Sequence, residues 1–339
     1  MTQATQSAVL DGGLAATAQH SQVQPASLAQ RGGASAWAAF GLVWLLVVIN
    51  AWGRWILSDS FAPVPITPGD VMENWRLVGL RVLEVVSTLL VIHITWKSVI
   101  KPWLTEKRFG LDAVLLLSGV LGFCADANLN LHEYIFAFNA HSINMGVWTA
   151  YMPFHTTGPY HYAESLLWGF PMYVYFGIGA AYAGCELILK LRKKYPGISN
   201  ASVYAMTYLF FCVSDFILEN AIIRSTHAYM FSKTYEPLTL FAGTLYQFPI
   251  YESFFSSVVC IGFTAIRMSS LESTDGMSFV ERGAHRFDSR LQPFVRVLAL
   301  FGATGLLFIV GYHLPVNWLG TIGTSVLELP TYMQPALIE

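Results

Sequence analysis

Seven apolar stretches of about twenty residues run through this chain, at 37–57, 77–100, 111–131, 163–189, 201–223, 245–266 and 293–313. No water reaches the middle of a bilayer, so a segment of that length crosses it only as a helix that satisfies its own backbone. The pattern predicts an all-α fold, a polytopic membrane bundle of about seven transmembrane helices, multi-pass in the cell membrane. A chain with 54% apolar and only 12% charged residues fits that class and lies far from a soluble domain. The expected division is a disordered tail over 1–36, a transmembrane domain over 37–314 and an extracytoplasmic segment over 315–339. Rich in Ala, Gln, Ser and Gly, the tail has no charged region leading into a cleavable apolar core and does not read as a signal peptide.

Two function classes fall away on composition. A net charge of -2 offers no concentrated basic face, so nucleic acid is not an expected partner. Cys124, Cys185, Cys212 and Cys260 all sit in apolar stretches without CxxC or Cys/His spacing, which argues against a zinc site or a disulfide framework.

Lysine and arginine set the orientation, because cytoplasmic connections hold their excess. Fourteen of the nineteen lie in the tail, between spans two and three, after span four, or between spans six and seven. The connection over 132–162 has none. The amino terminus is therefore expected inside and the carboxyl terminus outside.

On that orientation the charges within the spans fall at one depth, in the outer third. Span one brings Asn50 and Arg54, span two Arg81 and Glu84, and span three Asp126, Asn130 and Glu133 along one stripe. Glu164 opens span four, Asp215 and Glu219 stand one turn apart in span five, and Glu252 follows the start of span six. An ionisable residue at mid-span costs roughly 2.5–3.5 kcal/mol on insertion scales, so these groups are expected to face a wet interior. Ion pairing that merely locks the bundle accounts for some of them. It does not account for the set, since seven carboxylates outnumber the arginines Arg54, Arg81 and Arg224. A carboxyl crowded by like charge in a poor dielectric keeps its proton to higher pH, as a general acid requires. Pro171 and Pro249 read as kinks bordering the same layer. Histidines His132, His141, His155, His161 and His227 lie on the outer side without metal-binding spacing and read as a lid or proton source.

The stretch DANLNLHEYIFAFNAHSINMGVWTAYMPF at 126–154, followed after a Pro/Gly loop by ESLLWGFP, resembles the AveC-like spirocyclases. The positions carrying the resemblance are Asp126, Asn130, Phe138, Asn139, Asn144, Gly146, Trp148 and Pro153, with Glu164 ahead. The loop HTTGPYHY departs from it, being rich in histidine and lacking tryptophan. The resemblance implies a membrane enzyme that forms a spiroketal in polyketide maturation, with accompanying dehydration and no cofactor. Such chemistry needs an acid for the ketone and for the departing hydroxyl, an anionic group beside the oxocarbenium-like cation, and a base for the attacking alcohol. Asp126, Glu164, Asp215, Glu219 and Glu252 are the expected catalytic groups. Asn130, Glu133, Asn139, Asn144, Trp148, Arg54, Arg81 and Glu84 are the expected substrate contacts, and the partners are a lipophilic small molecule and the bilayer. The rival reading is a transporter or proton-coupled sensor with an outward carboxylate cavity. Against it, the chain has no inverted repeat and no matching pair of broken helices.

Overall fold

The computed structural model describes residues 33–157 and 160–337. The tail expected over 1–36 lies outside the described residues as far as 32, and its last three residues already belong to a helix. Seven helices among the described residues are long and apolar enough to cross a membrane: α1 (Ala34–Ile56), α2 (Asn74–Glu106), α3 (Leu111–Asn130), α4 (Gly169–Lys194), α5 (Asn200–Thr226), α6 (Ile250–Leu271) and α7 (Gln292–Thr321). Their outer faces stay apolar and uncovered, as with Leu42, Leu46 and Ile49 on α1 or Val78, Val82 and Val85 on α2. Such stripes are what lipid contact requires.

The span expected over 163–189 begins at Gly169, so Glu164 stands on non-helical chain five residues ahead of α4. Hydropathy cannot separate the two cases, because the segment before α4 is itself buried at Tyr162, Ala163, Ser165 and Trp168. The prolines read as kinks are helix starts instead. Pro171 is the third residue of α4, and Pro249 immediately precedes α6. In a first turn the missing N–H has no partner to lose.

One end of the bundle carries a cap made of the long connections. Four short antiparallel pairs organise it: β1 (Phe136–Phe138) with β3 (Tyr229–Phe231), β2 (Tyr160–His161) with β8 (Ala336–Leu337), β4 (Lys233–Thr234) with β7 (Ser325–Val326), and β5 (Thr239–Leu240) with β6 (Phe248–Pro249). Toward the other end, Asp112 of α3 takes a two-pronged ion pair from Arg267 of α6, at 2.9 and 3.1 Å. Tyr182 of α4 donates to the same carboxylate at 3.0 Å.

Helices α1 and α7 cross at glycines. A Cβ on Gly302 would stand 2.7 Å from the Gly41 nitrogen and 3.0 Å from the Trp37 carbonyl carbon, so only small residues permit the approach. Gly302→Val is expected to lower the melting temperature in detergent, by overpacking worth about 1–3 kcal/mol. Gly53→Ala, where an added methyl meets nothing within 4 Å, is expected to leave it unchanged.

Candidate active site

Asp126 lies where α3 tightens into a 3-10 turn, Cys124–Asn130. Tyr173 of α4 stands two residues ahead of a π-turn, Tyr175–Gly179, and His313 closes another in α7, Ile309–His313. Departures from α geometry of this kind re-aim side chains and recur at functional sites. Here they bring three groups together. The Tyr173 hydroxyl donates to Asp126 Oδ1 and lies 2.6 Å from His313 Nε2, with the imidazole 3.8 Å from the carboxylate. A hydroxyl has one proton, so with that proton on Asp126 the imidazole donates Nε2–H to the tyrosine oxygen. All three side chains are buried.

Glu164 joins them from the chain ahead of α4. The backbone there is tethered to the buried loop, through Leu166 N–H to Ile143 O at 2.9 Å and a bridge between Asn144 and Ser165. Gly169 borders the carboxyl, since a Cβ at 169 would stand 3.4 Å from Glu164 Oε1, in ordinary contact. Neither Glu164 oxygen has a hydrogen-bond partner among the described residues. Burial, and then the Asp126 carboxylate beside it, push the Glu164 carboxyl well above the usual range.

A second carboxyl group stands on α5 and α6. Asp215, Glu219 and Glu252 each bring an oxygen to within 4.8 Å of the other two. No ion pair with lysine or arginine reaches these three, Asp126 or Glu164 among the described residues. All five are at most 5% exposed. A void of about 10 Å³ separates the two groups, lined by Tyr173, Glu219, Ser256, Phe308 and Tyr312. It has room for one water.

The other residues expected at the site hold the cap. Asn130 Oδ1 accepts from the N–H groups of Ile135 and Phe136, each at 2.8 Å, and its amide donates to Phe136 O. Asn139 donates to His227 O and accepts from His141 N–H. Asn144 accepts from Val64 and Gly146. Trp148 donates to Cys124 O at 2.8 Å, where α3 changes pitch. Arg81 pairs with Glu84 at 2.5 Å and donates to His141 O, while Glu84 accepts from Ile143 N–H, which ties α2 to the loop. Glu133 pairs with Lys233 at 2.5 Å, and the Arg54 guanidinium lies over the Tyr151 ring. The histidines expected as a lid have separate partners: His132 meets Thr156, His161 meets Ala62 O and His227 meets Tyr332. Burial lowers the proton affinity of His141 and His161.

Asn130→Ala is expected to cost about 1–3 kcal/mol for each buried N–H left without an acceptor, read as a lower melting temperature. Asn130→Asp keeps the acceptor but sets a carboxyl oxygen against the Phe136 carbonyl where the amide donated, and is expected to recover only part of the loss.

Tyr173 and His313 gave no spacing signal in the sequence. A histidine inside an apolar span is nonetheless a titratable group in an expensive place, and that is the trace His313 leaves.

A family model described as Spirocyclase AveC-like matches residues 106–333 of the chain. No curated protein and no solved structure matches it. The matched segment contains the five buried carboxyls, Tyr173 and His313; Arg54, Arg81 and Glu84 lie outside it.

Proposed function

The chain belongs to the AveC-like spirocyclase family, and on that premise we propose that it is a membrane-embedded cyclase closing a lipophilic dihydroxyketone to a spiroketal with loss of water. Neutral Glu164 is the acid that protonates the ketone oxygen as the first hydroxyl adds. It then protonates the resulting hemiketal hydroxyl, which leaves as water. Asp126 is the carboxylate beside the oxocarbenium-like carbon; it takes the proton of each attacking alcohol and returns it to Glu164 beside it, while the His313 N–H and the Tyr173 O–H, donating in series toward Asp126, hold it in place. Each proton given is recovered, so the net change is one water.

The observation that carries this reading is a buried acid pair of unequal surroundings. Glu164 has only the Asp126 carboxylate beside it, whereas Asp126 also accepts from Tyr173. Environments that set two carboxyls apart are the means by which one acts as acid and the other as base. An apolar groove of about 260 Å³ between α1 and α7 supports access from the lipid side. Phe40, Trp44, Met152 and Phe154 line it, and so do Asn128 and Leu314, neighbours of Asp126 and His313 in the chain. The water-sized void holds no substrate, so the cap or the groove must part to admit one. A through-path for ions would need polar groups continuing toward the Asp112–Arg267 pair, and Ile178, Phe263 and Phe308 are buried in the interior instead.

A dihydroxyketone with 18O in both hydroxyls tests the reaction on protein in lipid nanodiscs. The expected product is lighter by one unlabelled water and retains both labels. A product that has lost a label reports elimination of an alcohol, and an unchanged substrate reports no cyclase; either result overturns the proposal.

A further inference from the structure

We propose that Asp215, Glu219 and Glu252 hold one hard divalent cation of the magnesium, manganese or calcium class. Three carboxyls are buried together with no lysine or arginine against them, an arrangement that costs several kcal/mol per ionised group unless protons or a cation neutralise it. The geometry favours the cation. A metal about 2.0–2.6 Å from each ligand requires one oxygen per residue within roughly twice that distance of the others. The separation found is at most 4.8 Å.

Two neutral hydroxyls complete the shell. Tyr229 of β3 lies against Glu219 and Ser253 of α6 against Asp215. Both are buried, and outside the carboxyl cluster neither hydroxyl has a hydrogen-bond partner among the described residues. Both Asp215 oxygens, both Glu252 oxygens and Glu219 Oε2 are likewise unpartnered. So many free acceptors around one point are rare in a folded interior. An all-oxygen set without nitrogen or sulfur selects a hard ion over zinc or copper. Glu252 is the third residue of α6, so it stands at the end of the helix nearest the cap. Because Glu219 also lines the void beside Tyr173, the cation would border the acid pair. The inference does not depend on the cyclase reading, since metal binding is measured without turnover.

Chain purified in detergent, stripped with EDTA and titrated with MnCl2, is read by the loss of the free Mn2+ electron paramagnetic resonance signal. Metal content after desalting from MgCl2 or CaCl2 gives the second readout. The expectation is about one ion per chain, with Glu252→Gln and Asp215→Asn weakening it roughly tenfold or more and Glu133→Gln leaving it unchanged. Should those variants fail to fold, Ser253→Ala removes a neutral ligand alone and is expected to weaken binding less. Wild-type chain that retains no Mn2+, Mg2+ or Ca2+, or retains as much as folded Glu252→Gln does, overturns the proposal and leaves the three carboxyls to protons.

Discussion

Asp126→Asn is expected to lower turnover by roughly 10²–10⁴-fold, the range of a lost general base, while the chain still folds. The amide is nearly isosteric and its oxygen can still accept from Tyr173, so the bond between α3 and α4 survives. What disappears is the negative charge. An amide neither takes the proton of an attacking alcohol nor balances a cationic carbon, and in a buried site that balance is worth far more than in water. Tyr173→Phe leaves the carboxylate in place but cuts its link to His313, so its loss is expected to be smaller. Glu133→Gln is the control, because Glu133 meets Lys233 in the cap. Initial rates with the same dihydroxyketone, on variants matched by gel filtration and circular dichroism, measure all three. Asp126→Asn turning over within a few-fold of wild type would sink the base assignment.

What the sequence reveals about this site follows from which costs are local. A span hides its backbone by itself, so seven helices are readable from seven runs of hydropathy. Charge in such a run is expensive wherever it sits, so Asp126, Asp215, Glu219 and Glu252 announce themselves one by one. Their grouping does not, because Glu252 meets Asp215 and Glu219 through the packing of α6 on α5 and no spacing encodes that contact. Polar residues in the cap are harder still. Buried loop backbone needs acceptors and donors as urgently as a substrate does. Asn130, Asn139 and Asn144 meet that need here, through Phe136, His227 and Val64. Nothing in an asparagine's sequence context distinguishes the two duties. Glu164 is misplaced by hydropathy for a related reason: its segment is as buried as a helix without being one. Tyr173 is one of sixteen tyrosines and acquires its meaning only when α4 faces both Asp126 and His313.

Glu164→Gln is expected to abolish cyclisation and, at neutral to alkaline pH, to raise stability. The sign follows from the direction in which the site moves this carboxyl. Burial and the Asp126 charge hold its proton affinity well above the usual range in the folded chain, so the folded form stays protonated where the unfolded form has ionised. The stability this group contributes is complete below its unfolded value near ~4.3, and declines by ~1.4 kcal/mol per pH unit above it until the folded carboxyl ionises. Glutamine does not titrate and is free of that decline. Melting temperatures of wild type and Glu164→Gln, taken in one detergent from pH 5 to pH 8, should therefore diverge, with the variant gaining steadily. Wild-type activity should fall only at pH values above the point where that divergence levels off, as the acid form is lost. A gap between the two chains that stays flat with pH would show that Glu164 carries no raised proton affinity, and a variant that still cyclises would remove it from the chemistry. Both outcomes together would make the pocket ordinary bundle packing; the divergence alone, with activity lost, ties the instability of the site to its use as an acid.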